Sequence, residues 1–352
     1  MRGQRTAGQQ QAADPTDQPP TSLLDLPELA RRAAVGHVFV KCEGERPLGS
    51  FKMLGGMFAA ERALARATAA ADAQAGERST SRLPRLICAS DGNHGLAVAA
   101  AARRAGTACT VYLPTGVDPL RAARIGAVGA RIQWIAGTYD DAVCAAAAAA
   151  ANGGGLLIAD TGDDPDSPVV RDVMQGYGRM ATEICEQIRQ LPGVPSHLFL
   201  QAGVGGLAAA LGRGLRAILR HPARLLTVEP ETAACVAMAL AAGRPLRIAG
   251  GLHTVAGMLS CGLASGAALD ILQSLEAAPV LVSEEELAAA VPILRQAGGP
   301  HSTPSGAAGL AGLLRVAASE PLRRRHRLDA GSSVLVVATE AALPLCGAEE
   351  VP

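Results

Sequence analysis

The sequence carries no net charge and no long uninterrupted apolar run, and each absence argues against a class of function. Its 32 Lys and Arg residues balance 32 Asp and Glu residues over 352 positions. The global charge therefore does not favour binding to nucleic acid or to an anionic membrane surface. No apolar run reaches the ~18 residues of a membrane span without charges or helix breakers. We expect neither nucleic acid nor a membrane as a partner.

Cysteine and histidine occur but are dispersed. The eight cysteines and seven histidines contain no CxxC pair and no ligand-like Cys/His cluster. In a chain of this length, scattered cysteines are typical of reduced thiols. We therefore expect a cytoplasmic protein without a metal site.

The first 22 residues are rich in Gln, Pro and other polar residues and contain no apolar segment. This composition is typical of a disordered tail and does not match a secretory signal. We predict a disordered tail over 1–22, followed by folded protein.

Short apolar runs rich in β-forming residues alternate with helical stretches along most of the remaining chain. The predicted strands cover 83–90, 108–114, 131–137, 155–160, 196–203, 224–230 and 333–340. This order predicts an α/β fold with parallel sheets wrapped by helices. The Asp- and Pro-rich segment 161–168 is the most linker-like, so we expect two doubly wound units with a ligand cleft between them.

Three loops follow predicted strands, at the edge where open α/β sheets bind ligands. "ASDGNHG" (89–95) and "QAGVGGLAAAL" (201–211) each lead into a helix, and a helix N-terminus favours a carboxylate or phosphate. "LIADTGD" (157–163) places Asp160 at the end of a strand. The glycine loop at 201–211 matches neither a dinucleotide fingerprint nor a nucleotide-hydrolase phosphate loop.

Each of these loops also has a simpler interpretation. Asp91 or Asn93 could cap the following helix. The glycines of the second loop could form only a tight turn, and Asp160 could be only a loop cap. None of the three loops identifies a ligand alone.

A single lysine lies in an unusual setting in "GSFKMLGG" (49–56), where Lys52 follows Phe51 and precedes two glycines. An exposed lysine at a helix start needs no such setting. A reactive lysine does, because it must be desolvated and closely approached by something flat or anionic. With a phosphate-type glycine loop downstream, this indicates pyridoxal phosphate, whose aldehyde forms a Schiff base with lysine.

These motifs resemble those of fold-type II pyridoxal-phosphate enzymes, the group similar to tryptophan synthase β, and more closely those of diaminopropionate ammonia-lyases. "EGERPLGSFKMLGG" resembles their lysine segment, and "DGNHG" (91–95) has their Asp before Gly-Asn-His-Gly. Further similar stretches, in the expected order, are "YDDAV" (139–143), "ADT" (159–161), "MQGY" (174–177), "HLFLQAGVGG" (197–206), "VEP" (228–230), "TVAGMLSCG" (254–262) and "SGAAGL" (305–310).

Three positions depart from the pattern of these lyases. Cys42 stands where they usually carry Asp, and Pro304 stands where Glu is usual. "ATEAA" (338–342) lacks the glycine and acids that normally follow, so Ala341 takes the glycine's place.

The resemblance implies a homodimer with two domains per chain. A large cofactor-binding domain would comprise 23–49 and 166–345, and a small domain would comprise 50–165. The active site would lie in the cleft between them.

The resemblance also implies roles for individual residues. The implied catalytic residues are Lys52, Asp91 and Asp160. The implied cofactor-binding residues are Phe51, Lys52, Asn93, Gly203, Val204, Gly205, Gly206 and Thr339. Among them, Asn93 would contact the phenolic oxygen of the cofactor and Thr339 its pyridine nitrogen. The implied substrate-binding residues are Ser90, Asp91, Gly92, Asn93 and His94.

The implied reaction is elimination of the β-amino group of 2,3-diaminopropionate, which gives pyruvate and ammonia. Two alternatives stay open among enzymes, namely a serine/threonine dehydratase and a β-replacement enzyme. An alternative of another class is a non-catalytic module that binds amino acids.

Overall fold

The structure, a computed structural model, describes residues 18–75, 82–90, 92–162 and 164–343. Its strands are β1 (Leu23–Asp25), β2 (His37–Cys42), β3 (Leu86–Ala89), β4 (Cys109–Pro114), β5 (Arg131–Ile135), β6 (Leu156–Leu157), β7 (His197–Gln201), β8 (Arg224–Pro230), β9 (Ala278–Val282) and β10 (Ser333–Ala338). Its helices are α1 (Pro27–Ala33), α2 (Lys52–Ala75), α3 (Asn93–Ala105), α4 (Pro119–Ala127), α5 (Tyr139–Ala151), α6 (Pro168–Gln187), α7 (Gly206–Leu215), α8 (Cys235–Ala242), α9 (Gly266–Ser274), α10 (Glu284–Gln296), α11 (Pro304–Ala317) and α12 (Glu320–His326).

The larger sheet has six strands in the order β1-β2-β10-β7-β8-β9. Neighbouring strands run parallel, except that β1 pairs antiparallel with β2. The last strand of the chain, β10, lies between β2 and β7, so the direction of winding changes there. The loops after β7 and β10 therefore leave the sheet side by side, at the kind of switch point where α/β sheets bind ligands.

The smaller sheet has four parallel strands in the order β5-β4-β3-β6. The chain winds outward from β3 to β5 and then crosses to the other side of β3 to form β6. A second switch point therefore lies between β3 and β6. Ser90 and Gly92 lie between β3 and the start of α3, and Asp160 lies in the loop that follows β6.

The predicted α/β fold with two doubly wound parallel sheets is confirmed. Central strands β7 and β10 are buried along their whole length, as expected for parallel strands covered by helices on both faces. Strands β1, β2 and β9 are additional to those predicted. Strand β1 has only three residues, and β9 contains a proline, which weakens a strand pattern. Strand β2 has six residues, as many as β4 and β10.

The strands of the two sheets come from different parts of the chain. The larger sheet draws its strands from 23–42 and 197–338, and the smaller sheet draws its strands from 86–157. The boundaries at 49–50 and 165–166 stay a prediction. None of the helices in the described part of the chain combines the length and apolar character needed to cross a membrane.

The prediction of a disordered tail is wrong for residues 18–22. Thr21 is buried, its hydroxyl donates to Glu43 at 2.7 Å, and its carbonyl accepts from Lys41 at 2.8 Å. Ser22 N donates to a Glu45 carboxylate oxygen at 2.7 Å. This polar segment is held by buried hydrogen-bond partners, which composition cannot reveal. The rest of that prediction, residues 1–17, lies outside the described residues.

The two glycines after Lys52 serve helix packing. A Cβ at Gly55 would lie 2.6 Å from the Val173 carbonyl oxygen on α6, and a Cβ at Gly56 would lie 2.7 Å from Ala97 Cβ on α3. These distances are shorter than real contacts, so larger residues would push both helices away from α2. The interpretation of these glycines as space for a ligand is therefore corrected. They let α6 and α3 approach the first turn of α2 and fix its position.

A buried cluster of charges connects the larger sheet to α6. Glu183 on α6 accepts from Lys41 at 2.9 Å and from Arg46 at 2.7 Å and 3.0 Å. Arg46 also donates to both carboxylate oxygens of Glu43, each at 2.9 Å. The Lys41 side chain has no exposed surface. Each buried charge in the cluster therefore depends on its partners.

We expect Glu183→Ala to lower the free energy of unfolding by about 3–5 kcal/mol, because it leaves Lys41 buried without its counter-ion and removes one partner of Arg46. The matched control is Glu186→Ala on the exposed side of the same helix, which should change stability by less than about 0.5 kcal/mol. Urea unfolding of both variants measures the difference. Equal losses would contradict the assigned role of the cluster.

Candidate active site

One pocket lies where the switch points of the two sheets meet. The predicted site residues that line it are Phe51, Lys52, Ser90, Gly92, Asn93, His94, Asp160, Gly203, Val204, Gly205, Gly206 and Thr339. Asp91 lies outside the described residues. The structure therefore brings together all of the predicted site residues that it describes.

Lys52 Nζ and an oxygen of Asp160 form an ion pair in this pocket. Burial favours the neutral form of Lys52 and so lowers its pKa. Attraction to the Asp160 carboxylate outweighs this effect of burial and holds the pKa of Lys52 above its usual range. Burial likewise opposes ionisation of Asp160, while Lys52 holds the pKa of that carboxyl well below its usual range. The Tyr139 hydroxyl donates to the other oxygen of Asp160 at 2.8 Å. The pair is thus charged and fixed in orientation, with Asp160 buried and Lys52 partly exposed.

Two aromatic rings form one wall near Lys52. The Phe51 and Tyr177 rings lie 4.9 Å apart between centroids, tilted by 52°. Lys52 Nζ lies 5.6 Å from the Phe51 ring centroid. Burial raises the pKa of Tyr177 to about 12, so its hydroxyl stays protonated. The wall is apolar and suits a flat ring.

The loop after β3 is held by its own side chains. Ser90 Oγ accepts from Gly92 N and Gly95 N, both at 2.8 Å. His94 Nε2 donates to the Ile158 carbonyl at 2.8 Å, and burial lowers the pKa of His94, which keeps it neutral. Asn93 is the first residue of α3 and does not cap it, because the N-cap is Gly92, without a side-chain bond.

The glycine loop after β7 ends at the N-terminus of α7. The N-cap is Gly205, which has φ +95° and no side chain to accept from the helix N–H groups. A Cβ at Gly205 would lie 3.3 Å from both Leu272 and Val236. Backbone N–H groups without carbonyl partners and the helix dipole favour an anion here. A reactive lysine and an anion site in one pocket fit pyridoxal phosphate.

Thr339 lines the pocket and is 4% exposed. Its Oγ1 accepts from Gln201 Nε2 at 3.1 Å. Because Gln201 supplies a donor, the Thr339 hydroxyl keeps its own hydrogen for another acceptor. This geometry suits the predicted contact with a pyridine nitrogen.

Several pocket residues were not predicted to belong to the site: Tyr139, Tyr177, Gln201, Ser305 and Glu340. Four of them lie within sequence stretches that resemble the lyases, so a signal existed for these four: Tyr139, Tyr177, Gln201 and Ser305. It could not be interpreted, because the chain alone does not show which member of a motif faces the pocket. Glu340 has no motif around it that predicts a role.

The three departures from the lyase pattern have local structural roles. Cys42 ends β2, and burial raises the pKa of its thiol to about 12, so it stays neutral. Pro304 is the first residue of α11, where its missing N–H costs nothing. Ala341 N donates to the Gly49 carbonyl at 2.9 Å. These roles do not alter the lining of the pocket next to Lys52.

The fold and the pocket define a pyridoxal-phosphate enzyme of fold type II, and comparison with known proteins agrees. A family model described as "Pyridoxal-phosphate dependent enzyme" matches residues 16–340. The chain belongs to this family, and pyridoxal phosphate is its cofactor, as predicted.

Relatives within the family include ammonia-lyases. The chain is 30% identical over 344 residues to diaminopropionate ammonia-lyase of Escherichia coli (strain K12). This alignment covers 91% of this chain and 84% of that protein. A crystal structure of the Escherichia coli enzyme with an aminoacrylate-PLP azomethine reaction intermediate has a TM-score of 0.78 at 29% identity, covering 92% of this chain and 85% of that chain. A human "Serine dehydratase-like" protein is 28% identical over 275 residues, 77% of this chain and 74% of that protein. The predicted resemblance is confirmed.

We expect Gly205→Ala to weaken cofactor binding by about tenfold or more, because a side chain at this positive φ displaces the loop N–H groups. Gly106→Ala is the matched control, since Gly106 also has positive φ, at +70°, but has open space around its Cβ position. Titration of the cofactor-free proteins with pyridoxal phosphate measures both affinities. If the two variants bind equally well, the phosphate lies elsewhere.

We expect Asp160→Asn to lower the pKa of Lys52, because burial then acts without the opposing carboxylate. More of the lysine is then neutral at pH 7, so the cofactor-free variant should capture pyridoxal phosphate at least about tenfold faster than the wild type. The rate of capture rises with pH until the lysine is fully neutral, and it should reach this plateau at a lower pH in the variant than in the wild type. Tyr139→Phe keeps the carboxylate and should resemble the wild type. Stopped-flow absorbance from pH 6 to 10 measures the rates. Identical profiles for Asp160→Asn and wild type would disprove the coupling.

Proposed function

We propose that the protein is an ammonia-lyase that acts on 2,3-diaminopropionate. One water and one substrate molecule give pyruvate and two molecules of ammonia, the first from the β-carbon and the second from the α-carbon. The observation that carries this proposal is a buried carboxylate, Asp160, paired with Lys52 inside the cofactor pocket. The β-substituent of this substrate is a cationic ammonium group, which a buried carboxylate attracts and a neutral hydroxyl does not.

Lys52 and Asp160 would have different roles in the elimination. Bound pyridoxal phosphate supplies an electron sink for the pair of electrons left at the α-carbon. Lys52 Nζ would hold the cofactor and take the α-proton of the L-isomer. Asp160, held as a carboxylate, would bind the β-ammonium group, which leaves as neutral ammonia without a further proton. Tyr139 would keep the carboxylate oriented, because it donates to the oxygen that Lys52 does not use.

The loop after β3 would hold the substrate carboxylate. The backbone N–H groups of Asn93 and His94 lie in the first turn of α3, where an anion is favoured. Asp91 belongs to this loop in the sequence. We propose that its carboxylate takes the α-proton of the D-isomer and adds to the selection of an ammonium group.

The alternatives differ in the β-substituent. A serine/threonine dehydratase would remove a hydroxyl group. The similarity to the human "Serine dehydratase-like" protein supports this alternative. A β-replacement enzyme would add a second nucleophile at the same carbon. A non-catalytic binding module would carry no lysine-bound cofactor, so the visible absorbance of purified protein distinguishes it.

We also propose that the protein is cytoplasmic and forms a homodimer. Seven cysteines in the described part of the chain are free thiols, and five of them are buried, which is typical of a reducing compartment. Sedimentation velocity would measure the size of the assembly.

We expect Asp91→Ser to lower kcat/KM for diaminopropionate by about a hundredfold, most strongly for the D-isomer, and to spare or raise kcat/KM for serine. The reason is that the loop loses a carboxylate that attracts the ammonium group. Pyruvate release from both isomers and from serine provides the measurement, with Lys52→Ala as the inactive control.

Asp91→Asn separates charge from loop geometry, because it keeps the size of the side chain. It should behave as Asp91→Ser does. An equal fall for all three substrates would mean that Asp91 only organises the loop. Wild-type turnover of serine above that of diaminopropionate would favour the dehydratase instead.

A further inference from the structure

Glu340 is a buried carboxylate at the edge of the cofactor pocket, two positions beyond the end of β10. It is 4% exposed and lines the pocket beside Thr339. Its backbone forms an antiparallel bridge with Ser50, close to the start of α2. A charge in this position affects anything that binds near Lys52.

Side chains from the units of both sheets donate to this carboxylate. Arg121 on α4 donates to both oxygens, at 3.0 Å and 3.1 Å. The Asn93 amide at the start of α3 donates to one oxygen, and the Thr303 hydroxyl donates to the other. Asn93 and Arg121 belong to the unit of the smaller sheet, whereas Glu340 belongs to the larger sheet. The carboxylate thus joins the two units next to the pocket.

Arg121 also supports the backbone of the loop that leads to Asn93. Gly92 has φ +143°, and a Cβ there would lie 3.0–3.4 Å from three carbons of the Arg121 side chain. The methylene groups of Arg121 therefore pack against Gly92, while its guanidinium holds Glu340. The loop backbone and the Asn93 amide are fixed by one connected pair of residues.

We propose that Glu340 is a positioning residue that holds one N–H of the Asn93 amide, so that the second N–H donates to the phenolic oxygen of the bound cofactor. A primary amide has two such donors, and holding one of them stops rotation of the group. Arg121 neutralises the charge of Glu340. Without Arg121, the Glu340 carboxylate would repel the phenolic oxygen of the cofactor. This inference rests on the proposed contact between Asn93 and the cofactor.

A double-mutant cycle on the protein without substrate tests this inference. We expect Glu340→Ala and Asn93→Ala each to weaken pyridoxal phosphate binding about tenfold, the effect of one hydrogen bond to a charged group. The double variant should also be weakened about tenfold, because Glu340 acts through Asn93. Both single variants should shift the ratio of the visible to the near-ultraviolet band of the bound cofactor in the same direction. The substrate plays no part, so failure here is separate from failure of the proposed reaction.

Two further variants test the charge balance. Arg121→Met leaves Glu340 unpaired and should weaken cofactor binding more than Arg121→Met combined with Glu340→Gln, which restores neutrality and keeps an acceptor for Asn93. Thermal unfolding of the cofactor-free proteins shows how far each change affects folding alone. An additive loss of about a hundredfold in the cycle would overturn the proposal. An unchanged band ratio in all variants would also overturn it, since Glu340 would then only connect the two units.

Discussion

The ion pair between Lys52 and Asp160 is the interaction on which the pocket depends. Each group is largely withdrawn from water, and each alone would tend to lose its charge, because burial disfavours an ionised amine or carboxyl. Together they remain charged, and Tyr139 fixes the carboxylate oxygen that the lysine does not use. If Lys52 holds the cofactor, as proposed, Asp160 would face the substrate without this counter-ion. We infer that its carboxylate would then attract an ammonium group.

The position of Lys52 is set by close packing of helices. A Cβ at Gly176 on α6 would lie 2.8 Å from Gly55 Cα on α2, so glycines meet where these two helices cross. The same approach places Tyr177 beside Phe51, and both rings form the wall next to the lysine. Lys52 is the first residue of α2, and any displacement of the helix would move its amine. Packing between helices therefore controls the position of the Lys52 amine.

The two sheets contribute different parts of the site. The larger sheet provides the glycine loop after β7 and the residues after β10, and the smaller sheet provides the loops after β3 and β6. Each set leaves its sheet at a switch point, where neighbouring loops diverge and leave room for a ligand. Glu340 and Arg121 connect the two sets through an ion pair. A site assembled in this way requires both units to be folded and correctly placed.

The sequence by itself determined the fold class, the cofactor and most of the pocket lining, because apolar periodicity, glycine loops after strands and one lysine in an unusual setting are local signals. It also placed Asp160 at the end of a strand, although not opposite Lys52. The tertiary structure alone decided that Gly55 and Gly56 serve helix packing, that residues 18–22 are held in place, and that Glu340 faces Asn93 and Arg121. These features depend on contacts between residues far apart in the chain, and such pairings leave no periodic pattern in a single sequence.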